Sequence, residues 1–170
     1  MSEQNKKIFL AICIIVPFAL YCYVYYSQLI RNAPYRFSDF ESIVLKYGEG
    51  DSLVNHFNSK TGIYQYLNRN DSLVTDTILL REDDLRHLHG KAAQLGFWNL
   101  PDDMTSADTT QSPASGTVRA TPRFYLQFNY KEKRKTVTLD ADFGGNPKML
   151  EAAKSVVDEV IRVINDARDR

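Results

Sequence analysis

From Ile8 to Ile30 the chain runs without a charged residue, and only Ser27 and Gln28, near its end, are strongly polar. At about 1.5 Å of rise per residue such a stretch reaches roughly 34 Å as a helix, against a hydrocarbon core of about 30 Å. The segment is therefore expected to be a retained transmembrane helix over 8–30, with 1–7 as a cytoplasmic tail. Tyr21, Tyr23, Tyr25 and Tyr26 crowd its C-terminal half, where amphipathic rings suit the headgroup level, and Pro17 is tolerable there as a kink. A cleaved secretory signal needs small residues three before the cut and immediately before it. Cuts after Ala19, Ser27 or Ala33 put Pro17, Tyr25 or Arg31 at the outer position, and a lipoprotein cut before Cys22 meets the bulky Tyr21. The adjacent Lys6 and Lys7 are expected to stay inside, although Arg31, Arg36 and Lys46 nearly balance them. This makes the expected localisation single-pass membrane, with the folded part extracytoplasmic, in the periplasm.

After a polar linker at 31–39, residues 40–168 are long enough for one domain with one core. The only cysteines, Cys13 and Cys22, lie inside the apolar run, so the domain has no thiol for a bridge, a zinc site or a nucleophile. Lys+Arg and Asp+Glu are equal at 21 each, which argues against nucleic acid as a partner.

Alternation of Ile43, Leu45 and Tyr47 with Ser42, Val44 and Lys46 predicts a first strand. Asp51 to Phe57, Ile63 to Leu67 and Leu73 to Leu80 follow as strands, separated by the polar turns at 58–62 and 68–71. The period then changes: Leu85, Leu88, Ala92 and Leu95 recur at helical spacing behind Glu82, Asp83 and Asp84, and Gly96 stops that helix. A flexible loop is expected over 101–117. Two further strands, around Arg123 to Asn129 and Thr136 to Leu139, form a second hairpin. Asn146-Pro147 then opens a core helix that runs to about Ala167. The fold class predicted is α+β: one N-terminal transmembrane helix, then a single domain with an antiparallel sheet of about six strands packed by two helices.

The helix ending in Leu95-Gly96-Phe97-Trp98 and the run Asp140-Ala141-Asp142-Phe143-Gly144-Gly145-Asn146-Pro147 resemble those of small bacterial envelope domains of unknown function, lipoprotein or membrane-anchored. The resemblance covers about Phe40 to Asn165 and implies an exported domain; it supplies no activity. A Cys and Pro pair common in that group between the first two strands is replaced here by Gly48-Glu49-Gly50.

No catalytic residue, metal ligand set or cofactor site is expected, because serines are scattered and no Gly-x-Ser-x-Gly occurs. His87 and His89 lie two apart on a helix, about 200° around it, and so do not share a face. Asp140, Asp142, Gly144, Gly145 and Asn146 precede a helix start and form a candidate ligand loop. Lys131, Lys133, Arg134 and Lys135 read as a solvated hairpin tip. Tyr64, Tyr66 and Tyr125 are the candidate partner-binding face. The expected function is a noncatalytic protein-binding or envelope-assembly module, with the membrane and another envelope protein as partners. The alternative is a small-ligand-binding protein or an enzyme using the Asp140–Asn146 loop.

Overall fold

The computed structural model describes residues 3–32, 35–106 and 121–170, and the chain divides into two compact units, Met1–Arg36 and Phe37–Arg170. The first contains one helix, α1 (Glu3–Asn32), with Pro17 inside it. Its residues 12–26 are apolar and tyrosine-rich. Among the described residues no helix is long and apolar enough to cross a membrane. The transmembrane span expected over 8–30, and the single-pass periplasmic placement built on it, are corrected accordingly.

The second unit is an α+β fold built on β1 (Phe40–Glu49), β2 (Ser52–Asn58), β3 (Ile63–Leu67), β4 (Leu73–Thr77), β5 (Asp103–Met104), β6 (Pro122–Tyr130) and β7 (Arg134–Asp140). The helices are α2 (Glu82–Gln94) and α3 (Pro147–Arg168). Sheet order is β4-β3-β2-β1-β6-β7-β5, and every pairing is antiparallel except β5 with β7. The sheet is thus seven-stranded and mixed, where six antiparallel strands were expected. The added strand lies at the start of the segment predicted as a loop. Two residues are too few to show a period, yet Met104 is fully buried and the Thr138 amide donates to the Asp102 carbonyl at 2.9 Å. The 107–117 part of the expected loop lies outside the described residues.

Register assigns the two faces. Leu45 lies beside Phe57 of β2 and Leu126 of β6, Phe57 beside Tyr64 of β3, and Leu126 beside Val137 of β7. All these side chains are buried on one face. There α2 and α3 supply Leu88, Ala92, Ala153, Val156, Val160 and Ile164 to the same core. Gly96, at φ 72°, turns the chain sharply after α2, a conformation that costs residues with a Cβ. Phe97 and Trp98 thereby fold back onto Phe128, with ring centroids 5.1 Å away in both cases. His89 joins this aromatic cluster, 5.5 Å from both Phe37 and Trp98.

His87 points elsewhere, its Nε2 lying 2.5 Å from Glu159 on α3. Arg162 also grips Glu159, at 2.7 Å, and reaches Asp166, four residues on, at 2.7 Å. Hydrogen bonds from Arg162 first and His87 second hold the Glu159 carboxyl at about 2, below its ordinary 4.5. A depressed carboxyl stabilises the fold fully above its unfolded value, and that contribution fades as pH falls through the folded one. Urea titrations between pH 5 and pH 2 are therefore expected to show stability declining toward pH 2, with Glu159→Gln flattening part of the decline. Equal slopes for the two proteins would remove this helix–helix clasp from the account.

Candidate functional site

The loop between β7 and α3 holds Asp140, Asp142, Gly144, Gly145 and Asn146. Asp140 is buried and takes a two-pronged bond from Arg123, Nε to Oδ1 at 2.6 Å and Nη2 to Oδ2 at 3.0 Å, plus the Ser106 amide at 3.0 Å. The Arg123 guanidinium holds its carboxyl below the usual carboxylate range. Asp142 accepts from the Ser106 hydroxyl on one oxygen and from the Thr121 hydroxyl on the other, both at 3.0 Å. It thus ties together the two described residues that flank 107–120. Asn146 Oδ1 caps α3 by accepting from the Lys148 amide at 3.0 Å. Neither Gly144 nor Gly145 has positive φ, and the Phe143 ring lies over Gly145, where a Cβ would come within 2.3 Å of it. Among the described residues no group of three or more His, Cys, Asp or Glu is placed to hold a metal ion.

The three tyrosines divide between the faces. Tyr64 lies beside Phe57 on the helix-covered face, and Tyr66, two residues on, stacks against it at 5.0 Å. The Tyr64 hydroxyl meets that of Tyr47 at 2.6 Å, and burial, more than this bond, raises the Tyr47 phenol well above its ordinary value. Tyr125 lies beside Lys46 and Thr138 on the opposite face.

That opposite face is the part least anticipated from sequence. Among the described residues no helix of the Phe37–Arg170 unit packs on it, and a connected row of polar side chains runs along β6 and ends on β1. The Tyr125 hydroxyl donates to Gln127 Oε1, Gln127 Nε2 to Asn129 Oδ1 at 2.5 Å, and Asn129 Nδ2 to the buried Ser42 hydroxyl at 3.0 Å. Lys46 Nζ sits 5.6 Å from the centre of the Tyr125 ring. His56 stands directly across from Lys46, with Gln65 beyond it on β3. Partial burial first, and the Lys46 charge second, lower the His56 pKa, so its neutral form is favoured. The signal was present in the polar half of the β1 and β6 alternation, Ser42, Lys46, Tyr125, Gln127 and Asn129. What sequence did not supply was the pairing of β1 with β6 across the intervening chain.

At one end of this face an open cleft of about 440 Å³ lies between the β2–β3 and β6–β7 turns, lined by Ser42, Asn58, Lys60, Asn129, Lys133 and Arg134 among others. The basic run of the second hairpin is split around it. Lys131 pairs with Asp39 at 3.5 Å, while Lys135 is buried, its Nζ at 2.5 Å from both the Leu100 carbonyl and Asp102. Lys135 is thus a core cation beside the short strand β5 and no part of a solvated tip.

No protein-family model and no curated protein matches this chain. What the molecule does has to follow from the surfaces it presents.

Proposed function

We propose that the Phe37–Arg170 unit is a noncatalytic protein-binding module whose recognition surface is the helix-free face of the sheet, centred on Lys46, Tyr125 and Gln127. The observation that supports this reading is the hydrogen-bonded row Tyr125–Gln127–Asn129–Ser42. Rotamers held in such a row lose little further freedom on binding, so a partner's polar groups meet a surface already arranged. Tyr125 adds an amphipathic ring and Lys46 an adjacent charge, residue types that anchor interfaces or steer their formation. The oxygens of Asp140 and Asp142 are engaged within the fold, so the helix-free face offers more to a partner than the β7–α3 loop does.

Tyr125→Ala and Lys46→Glu are the variants that test it. Both are expected to melt within about 5 °C of the parent, since each side chain is only half-buried and neither belongs to the apolar core. Recovery of whichever protein copurifies after crosslinking in native cells is expected to fall at least tenfold for the pair combined. Undiminished recovery with the double variant would overturn the proposal.

A further inference from the structure

We infer that β4, which ends the sheet among the described residues, pairs with β4 of a second copy of this chain around a two-fold axis through Thr75. This goes beyond the protein-binding reading above and uses a different surface.

Strand β4 ends the sheet, and its sequence Leu-Val-Thr-Asp-Thr contains neither the lysine nor the proline that commonly blunts such edges. Hydrogen bonds at both ends fix which backbone groups face outward. The Ile78 amide donates to the Gly62 carbonyl at 2.7 Å just beyond the Ile63–Thr77 pair, and the Asn68 amide to the Ser72 carbonyl at 3.0 Å just beyond Leu67–Leu73. Those two pairs are thereby of the non-hydrogen-bonded type, and so is Gln65–Thr75 midway between them. Leu73, Thr75 and Thr77 consequently aim their N–H and C=O groups away from β3. An antiparallel copy centred on Thr75 places all three against outward groups of its partner: Thr75 on Thr75, and Leu73 on Thr77 twice. The Thr77 amide, held by its own Asp76 carboxylate at 2.8 Å, exchanges that bond for the partner's Leu73 carbonyl.

Side chains fit the same symmetry. Ile63, Leu67, Leu73 and Leu79 are all the exposed large hydrophobic residues described in this unit, and they lie on or beside the β3–β4 edge, with Leu73 55% exposed. Pairing two copies brings Leu73 of one beside Thr77 of the other. Two rows result, each running Ile63, Thr77, then Leu73 and Leu67 of the second copy, so that Leu73 of one copy packs on the Thr77 methyl of the other. Between them Thr75 meets Thr75, a favourable cross-strand pair. Asp76, the only charge on β4, falls opposite Val74, so no like charges face each other. A different partner strand would have to reproduce this match; a second copy does so by symmetry.

The register supplies the test. In full-length protein carrying Cys13→Ser and Cys22→Ser, a Thr75→Cys variant puts two thiols on residues about 5.5 Å apart at Cα, within disulfide reach. Position 77 lies about 14 Å from its own symmetry mate, at about 3.4 Å per residue. Mild copper–phenanthroline oxidation is expected to link Thr75→Cys into dimers at least tenfold more than Thr77→Cys. Mixing Leu73→Cys with Thr77→Cys is expected to restore the crosslink. Association through α1 alone does not distinguish residue 75 from 77, so it does not imitate this pattern. Monomeric Thr75→Cys with native circular dichroism, or equal linkage at 75 and 77, would overturn the pairing. So would capture of a different chain at position 75 in native cells.

Discussion

Phe128→Ala is expected to destabilise the Phe37–Arg170 unit by about 3–5 kcal/mol, the range for truncating a fully buried aromatic side chain. Phe128 is wholly inaccessible and lies two residues from the end of β6, where Phe97 and Trp98 meet it from the turn after α2 and Phe40 from β1. Its removal takes one wall from the three rings together. The surrounding helices and sheet are also too rigid to close the gap, which is why the cost exceeds simple transfer of the side chain to water. In thermal melts this corresponds to a fall of roughly 10–15 °C for a unit of this size. Phe128→Leu, which retains more of the volume, is expected to cost less than half as much. A Phe128→Ala melt within about 3 °C of the parent would mean that the aromatic cluster does not close the core.

The second large effect is expected at Asp140. Truncation to alanine leaves the Arg123 guanidinium half-enclosed without its two-pronged partner and strips the Ser106 amide of its acceptor. Breaking a buried ion pair from one side costs about 3 kcal/mol or more, because the remaining charge stays desolvated. Arg123 also touches Asp51, whose side chain is 96% exposed. Water screens that contact, so Asp51→Ala is expected to cost less than about 0.5 kcal/mol. The ratio between the two aspartates is the informative quantity. Chemical denaturation midpoints that move equally for Asp140→Ala and Asp51→Ala would show that the network around Arg123 is a surface cluster and no strut between β6 and β7. Because Arg123 holds the Asp140 carboxyl below its ordinary range, this contribution is full above that range and is lost on acidification.

Local elements were legible where the residues themselves carry a stereochemical instruction. Gly96 ends α2 because a positive φ suits glycine, and Asn146-Pro147 starts α3 because the amide side chain caps a turn whose first N–H is absent anyway. The turn at 58–62 joined β2 to β3 at nearly the expected residues. Non-local pairings left no such mark. Whether Tyr64 and Tyr125 share a face depends on the registers of β2 with β1 and of β1 with β6, and one residue of slip in either would exchange the faces. Strand β5 carries no period in two residues, and only the burial of Met104 and the bond from Thr138 reveal it. The burial of Lys135 was hidden by its neighbours Lys131, Lys133 and Arg134, which read together as a solvated run until β7 turned alternate members to opposite faces.

The central functional claim is that contact with a partner occurs on the helix-free face and not on the face bearing Tyr64 and Tyr66. A photo-crosslinking phenylalanine analogue placed at position 125 or at position 66, in full-length protein in native cells, compares those faces directly. Protein adducts are expected from position 125 at several times the yield from position 66. Adducts from position 66 with none from position 125, in variants that melt normally, would contradict it.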